Sequence, residues 1–263
     1  MSSVAKQTHL DAPSLERFVE NVRAISPPPG QAFAVERFPD GRTSLVFRVL
    51  DGGHTGDLWV AGPHTRAMFK SKTGVARTVI VRFKPGGSVP LLGVAASELT
   101  DRVVPLEDLW GRVASDLCTE LLATADDADA MGRVLRALAL RASHVFHTSS
   151  GQLARRAVRL LEGGQGRVGN VAARLGVTER HLRRAFIENV GVGPKEFART
   201  VRLQRALAMA NTSCDWARIA ADAGYCDQAH LIGDFRQLVG LTPGVFFKRP
   251  RPTHSTQVGR WRW

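Results

Sequence analysis

Hydrophobic and polar positions change their period once along this chain of 263 residues, a little past position 100. Before that point, short runs rich in Val, Phe and Thr alternate with turn residues, and they predict strands over 32–38, 43–50, 57–61, 68–71 and 78–83. Asp40-Gly41, Asp51-Gly52-Gly53 and Pro85-Gly86-Gly87 supply the turn chemistry between them. Five short strands at this spacing predict a small barrel or sandwich. Beyond it, Leu106, Leu109, Val113, Leu117 and Leu121 recur at three- and four-residue steps, as do Met131, Val134, Leu135 and Leu138. That period predicts helices over 106–123 and 128–146. Ser149-Ser150-Gly151 reads as part of a linker over 144–152, and from Leu153 to Lys248 only helical patterns follow.

The helical half repeats itself with a period of 48–49 residues. Val171 matches Ile219, Ala172-Ala173 match Ala220-Ala221, and Gly176 matches Gly224. Leu182 matches Leu231, Phe186 matches Phe235, Gly191 matches Gly240, and Pro194 matches Pro243. Each copy predicts a helix-turn-helix. Small residues let two helices approach, a Gly ends the first, and an N-cap (Thr178, Asp227) starts the second. In the second helix of the first copy, Leu182, Ala185, Phe186 and Val190 share one face, and Arg180, Arg183, Arg184 and Ile187 share the other. The expected fold class is therefore α+β: a strand-rich N-terminal barrel or sandwich followed by helices, then an all-α domain of two tandem helix-turn-helix subdomains. The boundaries expected are 1–148 for the strand-rich N-terminal domain, 149–250 for the helical domain, and 251–263 for a disordered basic tail.

Charge sharpens this division. Residues 1–150 hold 17 basic against 16 acidic side chains, and 151–263 hold 19 against 8, so the net charge of +12 sits almost entirely in the helical half. A basic domain joined to a neutral one is the footprint expected of a polyanion-binding protein.

The run GYCDQAHLIGDFRQLVGLTPGVFFKR, 224–249, resembles the signature of the AraC/XylS family of bacterial transcription regulators. That signature is a Gly-aromatic pair, Asp-Gln-x-His-Leu, Phe-Arg, then Gly-Leu-Thr-Pro and an aromatic. The resemblance extends over about 152–249. It implies two helix-turn-helix subdomains joined by a long helix near 194–210, reading adjacent major grooves of promoter DNA from one face. It carries DNA contact onto Arg180, Arg183 and Arg184 in the first copy and onto Gln228 and His230 in the second, with the capping Thr178 beside them. GPHTR (62–66) and PLLGVAASELTDRVVPLEDLWG (90–111) look like an N-terminal domain of unknown function found in some members. By analogy that domain senses a small-molecule effector or forms a homodimer, and RNA polymerase is an expected partner. One departure stands out. The groove-facing positions of the second copy hold Ala229, Ile232 and Gly233 where the first holds Arg180, Arg183 and Arg184.

Other chemistry finds little support. No GxSxG, P-loop or strand-linked GxGxxG occurs, so no catalytic residues and no cofactor are expected. His54 and His64 lack a ligand-spaced partner and read as loop histidines, and Asp126-Asp127 with Asp129 reads as an acidic helix start, so no metal is expected. Phe33, Phe47, Trp59, Phe69 and Phe83 read as core residues rather than as a cavity lining. Cys118, Cys214 and Cys226 form no CxxC pair, which fits a reducing, cytoplasmic location. No apolar run approaches the ~20 residues that span a bilayer, and no apolar leader follows the N-terminus. Two other readings compete with a regulator: an enzyme that its basic half localises, and a sequence-tolerant architectural DNA-binding protein.

Overall fold

The computed structural model describes residues 6–8, 14–27, 33–50, 52–143, 148–164, 167–211, 215–249 and 255–258. Its strands are β1 (Lys6–Thr8), β2 (Val19–Ile25), β3 (Phe33–Arg37), β4 (Ser44–Leu50), β5 (Gly56–Ala61), β6 (Met68–Lys72) and β7 (Val75–Phe83). Short helices α1 (Val89–Leu92) and α2 (Ala96–Leu99) precede β8 (Val103–Pro105). Then come α3 (Glu107–Trp110), α4 (Arg112–Leu122) and α5 (Asp127–Ser143). The rest is α6 (Ser149–Glu162), α7 (Val168–Arg174), α8 (Glu179–Val190), α9 (Pro194–Met209), α10 (Trp216–Ala223), α11 (Gln228–Val239), α12 (Pro243–Lys248) and β9 (Ser255–Val258).

The strands form two open sheets, ordered β1-β2-β7-β4-β5-β8 and β6-β3-β9, rather than a closed barrel, with β9 contributed from beyond the helices. Alternation divides the larger sheet's faces. Leu45, Phe47 and Val49 of β4, with Val79, Val81 and Phe83 of β7, pack into a core shared with Leu117, Leu121, Val134 and Leu138 of α4 and α5. The opposite face turns toward β3 and β6.

Several expectations need correction. The helix expected over 106–123 is broken at Gly111, whose φ of +58° no helix accommodates. Ser149-Ser150-Gly151 is not linker but the first turn of α6, where Thr148 Oγ1 accepts from Gly151 N at 3.1 Å. Part of the tail read as disordered is a strand, since β9 pairs in parallel with β3. The other tail residues and His144–His147 of the expected linker lie outside the described residues.

The halves share their packing. The stretch from Glu36 to Arg42, linking β3 to β4, runs along the helical domain. Glu36 pairs with Arg249, and Phe38 is buried among Leu203, Leu207, Phe235 and Phe246. Pro39 O accepts from the buried Gln204 Nε2 at 2.9 Å, and Arg42 bonds Glu162. Gly41, at φ +63°, leaves no room for a Cβ beside the Phe197 ring, which would lie 2.7 Å away. Elsewhere Thr100 Oγ1 donates to Gly191 O at 2.7 Å, and Ala67 N to Leu238 O at 2.7 Å.

Candidate nucleic-acid interface

The sequence repeat becomes a structural one. α7 and α8 form one helix-turn-helix, α10 and α11 the second, and α9 joins them. The matched apolar pairs Val171 and Ile219, Ala172 and Ala220, Leu182 and Leu231, and Phe186 and Phe235 are all buried. Gly176 and Gly224 take left-handed φ of +68° and +89° where each first helix ends. Thr178 Oγ1 then accepts from His181 N at 3.2 Å, and Asp227 Oδ1 from His230 N at 2.7 Å, so each second helix starts with a capped orphan donor.

Capping and apolar packing decide what each second helix leaves outside. Thr178, Arg180, Arg183, Arg184, Gln228 and His230 are all exposed with the N-terminal half in place. Among the described residues, none of the three arginines has an ion-pair partner. Arginines with structural roles differ: Arg42, Arg82, Arg199 and Arg249 each hold a carboxylate. The guanidiniums on α8 thus stand together on a helix face with their charge uncompensated.

The exposed face of α11 is different. Ala229 and Gly233 are exposed and Ile232 is half-buried, so this stretch of the face offers no cation. Its buried side carries Asp234, which accepts from Arg199 Nη2 at 2.8 Å and lies 3.8 Å from Arg202 Nη2, tying α11 to α9. Arg202 in turn lies over the Tyr225 ring, whose hydroxyl is pushed up by burial and then by Asp234. The His230 ring meets Tyr225 edge-on at 5.2 Å. Sequence comparison missed Arg236, the exposed counterpart of Ile187 one turn further along α11. The repeat offset of 49 residues carried that signal, but Ile187 on the first copy drew no attention to it.

A Cβ at Gly233 would meet nothing within 4 Å. Gly233→Ala is therefore expected to raise stability by about 0.5–1 kcal/mol, as Gly costs in an exposed helix interior. A melting temperature at or below wild type would show that this glycine relieves a crowding not visible at its Cβ.

The remaining candidates are dispersed. His54 is exposed; His64 is buried, with its imidazole pulled down to about 4, first by desolvation and then by Arg37. No metal-ligand cluster occurs among the described residues. Cys118 and Cys226 are free thiols, and no described helix is long and apolar enough to cross a membrane. Phe47 and Phe83 are core residues, as expected, whereas Trp59 borders a cavity and Phe69 is 39% exposed. The Phe33 side chain lies outside the described residues.

Comparison with known proteins places two domains on this chain. Residues 171–249 match a helix-turn-helix domain, and residues 7–105 match a domain of unknown function, DUF6597. No curated protein matches the sequence. Among solved structures, an apo variant of ToxT from Vibrio cholerae is 14% identical, with 88% of this chain and 96% of that chain covered and a TM-score of 0.41. A wild-type ToxT described as bound to unsaturated fatty acid is 11% identical over 87% and 94% of the two chains, with a TM-score of 0.42.

Proposed function

Because the chain carries an AraC-type helix-turn-helix domain over 171–249 behind a domain of unknown function over 7–105, we propose that it is a sequence-specific transcription regulator whose N-terminal half modulates DNA binding. The observation that carries this reading is the exposed, unpaired row Arg180, Arg183 and Arg184 on a capped helix of a basic half. Guanidiniums so displayed pair bidentately with guanine O6 and N7, while Gln228 and His230 at the start of α11 suit phosphate. The two units would occupy successive major grooves of promoter DNA. RNA polymerase and a second copy of the chain are partners consistent with such a regulator.

Full-length protein is expected to bind DNA with a steep salt dependence, each neutralised phosphate adding about −0.9 to the slope of log K against log salt. A slope shallower than about −2 would mean that few phosphates are touched and would remove the DNA-binding reading. The weakly polar face of α11 favours one other reading, an architectural protein that tolerates any sequence. Competition by random DNA equal to competition by a selected site would establish that alternative.

A further inference from the structure

Between the two sheets lies a cavity of about 270 Å³. Its floor is the outer face of the larger sheet, where Ser44, Val46 and Arg48 of β4 stand beside Trp59 and Ala61 of β5 and Thr78 and Ile80 of β7. Its roof is one face of β3 and β6: Val35 and Arg37 with Met68, Lys70 and Lys72. Register orders this lining into an inner and an outer end. Arg37 lies opposite Met68, and its guanidinium reaches Gly62 O at 3.4 Å, next to Ala61, which pairs with Ser44. The middle is apolar: Val35, Val46, Trp59 and Ile80.

The lining holds four cations and no carboxylate. Arg48 is neutralised by Asp57, Lys70 is exposed and Lys72 is half-buried. Arg37 is the one buried cation of the lining without an ion pair among the described residues. It is 7% exposed, and its one hydrogen bond is to Gly62 O. A buried guanidinium without a direct ion pair is costly unless something compensates it, and Asp40, which makes no ion pair with Arg37, offsets only part of that cost. Ser44 Oγ at the same end and Trp59 Nε1 in the middle are buried polar atoms without a hydrogen-bond partner. Desolvation pulls Arg37 down to about 10, with Arg82 adding to the effect and Asp40 opposing it.

We propose that this cavity binds a small molecule with an apolar body and a single carboxylate, the carboxylate accepting from Arg37 and Ser44 and the body lying along Val46, Trp59 and Ile80. A carboxylate takes two guanidinium hydrogen bonds and would complete the pair that Arg37 lacks. The volume, just under the roughly 300–1,000 Å³ of ordinary small-molecule pockets, suits one ring or a short branched chain. This inference rests on the proposal that the N-terminal half modulates DNA binding, and it gives that modulation a route. Strands alternate faces, so the roof that lines the cavity with Val35, Arg37 and Met68 turns Glu36, Phe38 and Phe69 toward Phe246 of α12 and Arg249 just beyond it, in the helical half.

Calorimetric titration of the full chain with para-tert-butylbenzoate and cyclohexylacetate, against their neutral amides, tests it. At least one acid is expected to bind about tenfold or more tightly than its amide, the margin of a charge-assisted pair. Arg37→Met is expected to abolish that discrimination without lowering the melting temperature of the unliganded protein, and Val46→Trp to block acid and amide alike. The inference is overturned if neither acid binds, if acid and amide bind equally, or if Arg37→Met keeps the discrimination. A fall in melting temperature on Arg37→Met would also overturn it, because Arg37 would then serve the fold. Salt-dependent DNA binding by the same preparation, without probe, separates these failures from a failure of the regulator reading.

Discussion

Replacing Phe38 by Ala is expected to destabilise the chain by about 3–5 kcal/mol, the cost of emptying a buried aromatic site. Phe38 is 5% exposed although it lies just past the end of β3, because the helical half closes over it. Its ring meets Phe69 edge-on at 6.0 Å and Phe246 edge-on at 5.6 Å, and Leu203 and Leu207 of α9 complete the site. Phe69→Ala is the control. At 39% exposed, that ring has less apolar surface to lose, and about 1 kcal/mol is expected. Urea unfolding measures both. A loss below about 1 kcal/mol for Phe38→Ala would mean that the contact between the two halves does not form in solution. The residues proposed to contact DNA are exposed with that contact in place, so the variant is expected to retain DNA binding under conditions where it is folded.

The second large effect is unequal reading of DNA by the two helix-turn-helix units. Binding-site selection is expected to return one sharply defined half-site and one degenerate half-site, centred about 10 bp apart. Arg180, Arg183 and Arg184 can each supply a base pair contact that discriminates by about 1–3 kcal/mol, whereas Ala229, Ile232 and Gly233 offer only apolar contact or close backbone approach. Arg→Ala substitution at these three positions is expected to relax preference in the sharp half-site, by about tenfold or more for at least one of them. Gln228→Ala and His230→Ala are expected to weaken binding similarly on every sequence, as loss of a phosphate contact does. Arg236→Ala decides whether α11 keeps one base contact of its own. Two equally sharp half-sites, or an unchanged preference after all three arginine substitutions, would refute the asymmetry.

What the sequence determined by itself was whatever depends on local periodicity and on composition. The three- and four-residue steps, the N-caps Thr178 and Asp227, and the paired glycines Gly176 and Gly224 specify two helix-turn-helix units with no knowledge of their neighbours. Each of these signals lies within a few residues of the element it fixes. The strands β3 to β7 were legible for the same reason, since alternation and turn residues mark them. β2 was not legible, because Val19–Ile25 places Glu20, Asn21 and Arg23 among its apolar residues and so blurs the alternation. β8 and β9 were not legible either, being three and four residues long and defined only by the strands they pair with.

Tertiary structure alone decided which polar groups are buried and which apolar ones are shared between halves. Arg37 and Glu36 are adjacent charges that look alike in a sequence. The pleat turns one into a cavity without a carboxylate and the other onto Arg249. Phe38 reads as the end of a strand, yet its neighbours Leu203 and Phe235 lie more than 150 residues away along the chain. Long-range burial of this kind leaves no periodic trace. It depends on which surfaces remain uncovered once each half has folded, and that is settled only when the two surfaces meet.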